Sequence, residues 1–382
     1  MKKSILIIEN GTHYHVLDHL SNFYQNKNYE VTLALNWNID KEMITDLFKD
    51  YDKYKIIDIK SKNLFFLELL LKKNKYDYVH ISTGAENTYY KFLPNIFLFF
   101  IYTLLFRKKI ILQIRNSKYF LLTKNIKNYF KINFKKYKKN FYYIFLIYSF
   151  ANFFRYLAYK NCKTCIFESN TQLIYFNKYT KFKYENKNFF LYSLNLKKQV
   201  LLSNKNENKI VIGIPGSYEP ERRDYKLLIN ACTNLSIKEC SKIKFIFMGN
   251  FRSVDQKFLN FFKSKNIEII FFNRFVSTKD YIEILHSINY LLSLHHKKRH
   301  PFTFAGSGIV GDLNSCNKQV ILRDIFDPYG EFSSRAIYFN NLLKVFQNLT
   351  NGYSLDENYS SVNKKNKLLN DQLDYLNVVI KN

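Results

Sequence analysis

Residues 209–231 read KIVIGIPGSYEPERRDYKLLINA. The run Ile210–Ile214 is apolar, Pro215 and Gly216 form a turn pair, and a short polar loop leads to adjacent Arg222 and Arg223. Tyr225, Leu227, Leu228 and Ile229 follow at helical spacing. A continuous apolar run closed by Pro-Gly predicts a strand buried on both faces, and the pattern after it predicts a helix. A strand that ends in a glycine turn and opens a helix is how α/β proteins present backbone N–H groups to phosphate. On this reading Arg222 and Arg223 stand in the first helical turn. The positive end of the helix dipole disfavours cations there, so an anion is expected beside them. A diphosphate fits, because guanidinium forks meet phosphate oxygens in pairs. The alternative is a surface helix start with both arginines in solvent.

Outward from this stretch the same alternation repeats in both directions. Before it, strands are expected at residues 4–8, 30–35, 54–59, 78–82, 110–114, 164–168 and 189–192, with helices between most of them, such as 16–25 and 41–48. After it, strands are expected at 244–248, 268–272, 290–294, 319–322 and 336–339. Helices are expected at 224–233, 254–263, 278–286, near 308–315 and at 341–349. Strands alternating with helices predict parallel, doubly wound sheets. The polar stretch KKQVLLSNKNEN, 197–208, reads as a linker, and 361–382 as a final helix. The expected organisation is therefore α/β, with two Rossmann-like domains at 1–196 and 209–360.

The chain has 382 residues, 47% of them hydrophobic, enough for two real cores. Lys plus Arg is 59 against 31 Asp plus Glu, a net charge of +28 that favours anionic partners. The abundance of Asn, Ile, Phe and Tyr is the pattern of an AT-rich coding sequence, so part of the lysine excess is compositional. A nucleic-acid-binding protein is a rival reading, but the basic residues are scattered and no reader motif is present. Five cysteines form no paired framework, and Cys162-Lys-Thr-Cys165 is a lone CxxC without a second pair for zinc. A reduced, cytoplasmic compartment is expected. MKKSILIIEN breaks its apolar run at Glu9, which predicts a first strand and no signal peptide.

Two segments depart from the soluble pattern. FLPNIFLFFIYTLLF, 92–106, ends in Arg107-Lys108-Lys109, and FYYIFLIYSFANFF, 141–154, follows a lysine-rich run. Both are shorter than the ~20 residues that span a bilayer. They read either as core helices of a large sheet or as aromatic, basic-flanked helices that dock on an anionic membrane face.

Taken in order, the second half resembles the nucleotide-sugar-binding domain of GT-B fold glycosyltransferases, especially the GT4-like group. The resemblance rests on Gly216-Ser217 and Glu221-Arg222, on KFIFMGN at 244–250, on IIFFNRFV at 269–276, on YLLSL at 290–294 and on TFAGSGIVGDLNSCNKQVI at 303–321. It implies two Rossmann-like domains facing a cleft, with 361–382 crossing back to the first domain. It implies donor contacts from Gly216, Ser217, Arg222, Arg223 and Asn250, from Arg274, Phe275 and Val276 at the base, and from Ser307 and Gly308 at a second helix start. Where this group carries a basic residue, Ser217 stands here. Where it carries two glutamates, Ala305 and Gly311 stand, which leaves the anomeric outcome open. A catalytically degenerate GT-B protein that binds a partner is therefore a rival, and so is a sugar-nucleotide epimerase.

The basic run HHKKRH, 295–300, follows a strand and reads either as ligand-facing or as a solvated loop. In the first half, Glu9, Gly11, Thr12, His13 and His15 follow strand one. His13, His15, Glu9 or Glu86 would be the base for an acceptor hydroxyl, and Gly11, Thr12 and Arg115 would contact the acceptor. No metal and no cofactor beyond the donor is expected. The expected function is transfer of a sugar from a nucleotide-diphosphate donor to a lipid-linked or cell-surface polysaccharide or oligosaccharide acceptor. The expected place is the cytoplasmic membrane face, as a peripheral protein.

Overall fold

A computed structural model of the chain describes residues 2–9, 15–36, 51–61, 64–72, 76–83, 93–107, 109–114, 153–167, 209–251, 254–274, 278–296, 318–327 and 335–352. It also describes isolated positions at 41, 44–45, 173, 276, 309, 312–313, 316 and 332. The chain divides into two compact units.

The first unit carries β1 (Ser4–Glu9), α1 (His15–Asn26), β2 (Glu30–Leu35), β3 (Lys55–Asp58), α2 (Phe65–Leu71), β4 (Tyr78–Thr83), α3 (Leu93–Leu105), β5 (Ile110–Ile114), α4 (153–161) and β6 (Thr164–Phe167). Its six strands run in the order β3-β2-β1-β4-β5-β6, every pair parallel. Strands such as ILII and IILQI are buried along their length because helices cover both faces of the sheet. Ile5 and Ile7 face α1 in one core, while Leu6 and Ile8 join Phe65, Phe66, Phe99 and Tyr102 in the other.

The apolar segment at 92–106 forms α3, and the core reading holds for one side of it only. Ile96, Phe99 and Tyr102 are buried, whereas Phe97, Leu104 and Leu105 are exposed.

The second unit carries β7 (Ile210–Ile214), α5 (Tyr225–Thr233), α6 (Ile237–Cys240), β8 (Ile243–Asn250), α7 (Gln256–Ser264), β9 (Glu268–Phe272), α8 (Thr278–Ser287), β10 (Tyr290–Leu292), β11 (Gln319–Arg323), β12 (Ala336–Phe339) and α9 (Leu342–Thr350). Its six strands are also parallel, in the order β12-β11-β10-β7-β8-β9. Phe245, Phe247, Phe258, Phe262 and Phe346 pack edge-on or tilted over β8, with centroid distances of 5.0–6.5 Å.

Two parallel, doubly wound sheets are what the alternating pattern predicts. The strand at 189–192, the linker at 197–208 and the helix at 361–382 lie outside the described residues.

Candidate functional site

In the second unit the chain builds β7, β8 and β9 to one side of β7, then returns to place β10, β11 and β12 on the other. The loops leaving β7 and β10 therefore diverge to opposite faces, and the crevice at their ends is where open α/β sheets take ligands. The loop after β7 holds Gly216, Ser217, Arg222 and Arg223. The chain after β10 holds Ser293, His295 and His296.

Gly216 sits at φ 87°, a left-handed conformation that favours glycine. A Cβ on Gly249, at the end of β8, would fall 2.3 Å from the Gly216 carbonyl carbon, so the two glycine turns are in direct backbone contact. The Tyr218 amide donates to the Asn250 carbonyl at 3.0 Å and holds the same two loops together. Among the described residues the amides of Gly216 and Ser217 have no hydrogen-bond partner.

The arginines do not stand where the sequence pattern put them. Helix α5 begins at Tyr225 with Asp224 as its N-cap, whose carboxylate accepts from the Leu227 amide. Arg222 and Arg223 precede the cap. The physical reason is backbone pairing with the chain beyond β10. Arg223 and His295 form an antiparallel bridge, the Asp224 amide donates to the Leu294 carbonyl at 2.6 Å, and the His296 amide donates to the Arg222 carbonyl at 3.3 Å. The positive end of the α5 dipole is thus met by the Asp224 carboxylate.

The two guanidiniums differ. Arg223 is 11% exposed and donates Nη1 to the Ser217 carbonyl at 2.6 Å. Burial pulls its pKa below the usual arginine value. Arg222 is 51% exposed and forks onto both carboxylate oxygens of Glu219, at 3.0 and 3.1 Å.

Asn250 ends β8, Arg274 is exposed after β9 and Val276 is buried. Phe275, Ser307 and Gly308 lie outside the described residues, as do 297–300 of the basic run. His295 pairs its Nδ1 with the Ser293 hydroxyl at 2.9 Å, and His296 Nδ1 lies 3.9 Å from Asp224 Oδ2.

Three residues of this edge were missed by sequence reasoning. Arg323, at the end of β11, is buried and donates Nη2 to Asp224 Oδ2 at 2.9 Å, while its Nη1 has no partner among the described residues. Asp312 accepts from the Tyr281 hydroxyl of α8 at 2.8 Å. Burial pushes its carboxyl up to about 7, against the downward pull of that hydrogen bond. Asp312 stands next to Gly311, one of the two positions where the resembled group carries glutamate, and that adjacency was a readable signal. For Arg323 and Tyr281 the sequence offers none.

In the first unit the equivalent switch lies between β1 and β4. Glu9 ends β1 there, fully buried, with the Ser82 hydroxyl 2.5 Å from its Oε2 and 3.0 Å from the Ile8 carbonyl. His15 opens α1, but its side chain lies outside the described residues, as do Gly11, Thr12, His13, Glu86 and Arg115. Among the described residues no group of three His, Cys, Asp or Glu side chains is placed to hold a metal ion. Cys162 and Cys165 are not joined in a disulfide, and burial pushes the Cys162 thiol up.

No protein-family model and no curated protein sequence matches the chain. Solved structures do match it in fold. The glycosyltransferase WaaG, involved in lipopolysaccharide biosynthesis, is 12% identical over 96% of this chain and 99% of its own, with a TM-score of 0.54. The lipopolysaccharide outer core galactosyltransferase WaaB in its apo form is 12% identical over 99% of both chains, with a TM-score of 0.52. The UDP-GlcNAc 2-epimerase of Methanocaldococcus jannaschii, in complex with UDP-GlcNAc and UDP, is 17% identical over 98% of this chain and 100% of its own, with a TM-score of 0.50. At such identities the likeness is one of architecture. Its two six-stranded parallel sheets and its match to these structures over nearly their whole length give the chain the GT-B fold.

Proposed function

We propose that the chain is a glycosyltransferase that takes a nucleotide-diphosphate sugar at the C-terminal edge of the second unit's sheet. The observation that carries this reading is the pair of partnerless amides at Gly216 and Ser217, at the switch point, braced from beneath by the Arg223 guanidinium. In the reaction an acceptor hydroxyl oxygen bonds to the anomeric carbon as the bond from that carbon to the distal phosphate oxygen breaks. The electron pair leaves with the nucleoside diphosphate, and the proton passes to a base. The leaving charge meets backbone N–H groups and the two arginines, so no bound metal is required. Arg222 is free to turn to phosphate, because its exposed ion pair with Glu219 is worth only about 0–1 kcal/mol. The base is one of Glu9, His13, His15 and Glu86, and Gly11, Thr12 and Arg115 serve the acceptor.

The proposed acceptor is a lipid-linked or cell-surface polysaccharide or oligosaccharide, reached at the cytoplasmic membrane face. The apolar, aromatic helix α3 and the exposed Arg107 that follows it support that placement, and the names of the two transferase neighbours agree with the acceptor class. A second reading, epimerisation of the nucleotide sugar itself, is favoured by the UDP-GlcNAc epimerase sharing the fold.

Calorimetry with UDP and GDP tests the donor site. The wild type is expected to bind one of them, and the Arg222→Ala/Arg223→Ala variant to bind it more weakly. Undiminished affinity in the variant sinks the phosphate role, and no affinity in the wild type sinks the reading. NMR of nucleotide sugars incubated without acceptor separates the two chemistries, since only an epimerase yields a second nucleotide sugar.

A further inference from the structure

Helix α3 is apolar on its outer face as well as its inner one. Ile96, Phe99 and Tyr102 enter the core, while Phe97, Leu104 and Leu105 are 44, 47 and 66% exposed. The spacing 97, 101, 104, 105 places these three on one stripe, with half-buried Ile101 between them. Helix α4 packs alongside. Phe154 meets Phe97 at 5.1 Å and Phe100 at 5.6 Å between centroids, and Phe153 beside it is left 51% exposed. Phe153, Leu157 and Lys160 recur along α4, with Lys160 exposed, and exposed Arg107 follows the last turn of α3.

Single exposed apolar residues are ordinary on any protein surface. The second unit shows that ordinary pattern: exposed Ile237, Ile270, Ile325 and Tyr338 each lie on a different element. In the first unit Leu64 and Leu71 stand at the two ends of α2, while three others share α3 and a further one lies on the helix packed against it.

We infer that Phe97, Leu104 and Leu105 of α3, together with Phe153 of α4, form the docking face for an anionic bilayer surface. The biology of this inference rests on the membrane-facing reading above, and its geometry is independent of the nucleotide site. Helix α3 has 13 residues, and no described helix is long and apolar enough to cross a membrane. A helix of this kind lies in the plane of the interface. Its aromatic and leucine side chains sink to the acyl boundary while cations at its ends meet lipid phosphates. Arg107 and Lys160 supply those cations, and the net charge of +28 favours anionic over zwitterionic lipid.

Sedimentation of the full chain with vesicles tests it, using phosphatidylcholine alone and phosphatidylcholine mixed with phosphatidylglycerol. The wild type is expected to partition onto the anionic vesicles. Phe97→Ser/Leu104→Ser/Leu105→Ser should cut that partition about tenfold or more, since each change removes buried apolar area. Arg107→Glu should weaken it and reduce its salt sensitivity. UDP affinity by calorimetry, measured on the same samples, reports intact folding of the variants. Absent binding to anionic vesicles, or equal binding by the triple variant, overturns the inference. So does a dimeric wild type that the triple variant converts to a monomer, because the face would then belong to a second copy of the chain. Vesicle binding without any nucleotide affinity would leave the docking face standing and the donor site refuted.

Discussion

Arg223 fills the space that a side chain on Gly216 would need. A Cβ built on Gly216 falls 1.8 Å from Nη2 of Arg223, and the same guanidinium donates to the neighbouring Ser217 carbonyl at 2.6 Å. The turn after β7 is therefore shaped from inside by a cation seventh in line from the glycine.

Removing that cation should be costly where removing its neighbour is not. Arg223→Ala leaves the Ser217 carbonyl without its donor and opens a gap beneath the turn, an expected loss of about 1–3 kcal/mol. Arg222→Ala breaks only an exposed pair, worth about 0–1 kcal/mol. Urea denaturation of the two single variants checks the contrast, and equal midpoints would contradict it.

Three glycines of the second unit should respond differently to alanine. Gly249→Ala drives a Cβ to 2.3 Å from backbone atoms of Gly216, which no rotamer change relieves. Its effect is expected to be larger than that of Gly352→Ala, where open space leaves only the cost of φ 75°, about 1 kcal/mol. Gly216→Ala combines both faults. Thermal melts of all three should rank Gly352→Ala mildest.

Asp224 serves two structures at once, capping α5 and holding buried Arg323. Asp224→Ala should cost about 3–5 kcal/mol, because it strands a buried guanidinium. Asp224→Ala/Arg323→Met should recover part of the loss, since apolar replacement of a buried pair is often neutral. A double-mutant cycle by chemical denaturation measures the coupling. Additive losses would show that the pair is not coupled.

Asp312 gives stability a pH dependence of unusual sign. Its carboxyl stands at about 7 in the fold, above the ordinary aspartate value of about 3.9. Between those values the native state holds a proton that the unfolded state has lost, so this contribution falls as pH rises, by up to about 1.4 kcal/mol per unit. Asp77, Glu239 and Glu268 are shifted downward by hydrogen bonds, and they act with the opposite sign at lower pH. Asp312→Asn should therefore gain on the wild type as pH rises from about 4 to about 7. Melting temperatures of both across that window check it, and parallel curves would place the Asp312 carboxyl at an ordinary value.

The strands were legible because parallel strands covered on both faces are written as unbroken apolar runs. Expected and observed limits agree for Glu30–Leu35, Ile110–Ile114, Glu268–Phe272 and Ala336–Phe339. Helix α6 is also written locally, in Ser236-Ile-Lys-Glu239, whose capping box the structure contains, although no helix is expected there in the sequence analysis. The arginine positions were not legible. Whether residues 222–224 wind into a helix or pair with 294–296 depends on hydrogen bonds to a segment some 70 residues away, which helical spacing cannot report. Asp224 meets Arg323 across 99 residues for the same reason. The two-sided character of α3 lay between the two readings of an all-apolar segment, and only packing against α2 and α4 divides its faces.

The loop leaving β7 is stitched on both flanks: to the end of β8 through Gly249 and the Tyr218–Asn250 bond, and to the chain beyond β10 through Arg223–His295. None of these fastenings uses a residue from outside the second unit. Its curvature is consequently settled during folding, before any anion arrives. An incoming phosphate has little chain left to order and loses little entropy there. Discrimination at this turn is then a matter of fit to a fixed template: the Tyr218 amide, bonded to the Asn250 carbonyl, should exchange slowly with ligand or without, whereas the amides of Gly216 and Ser217 should slow only when a phosphate binds.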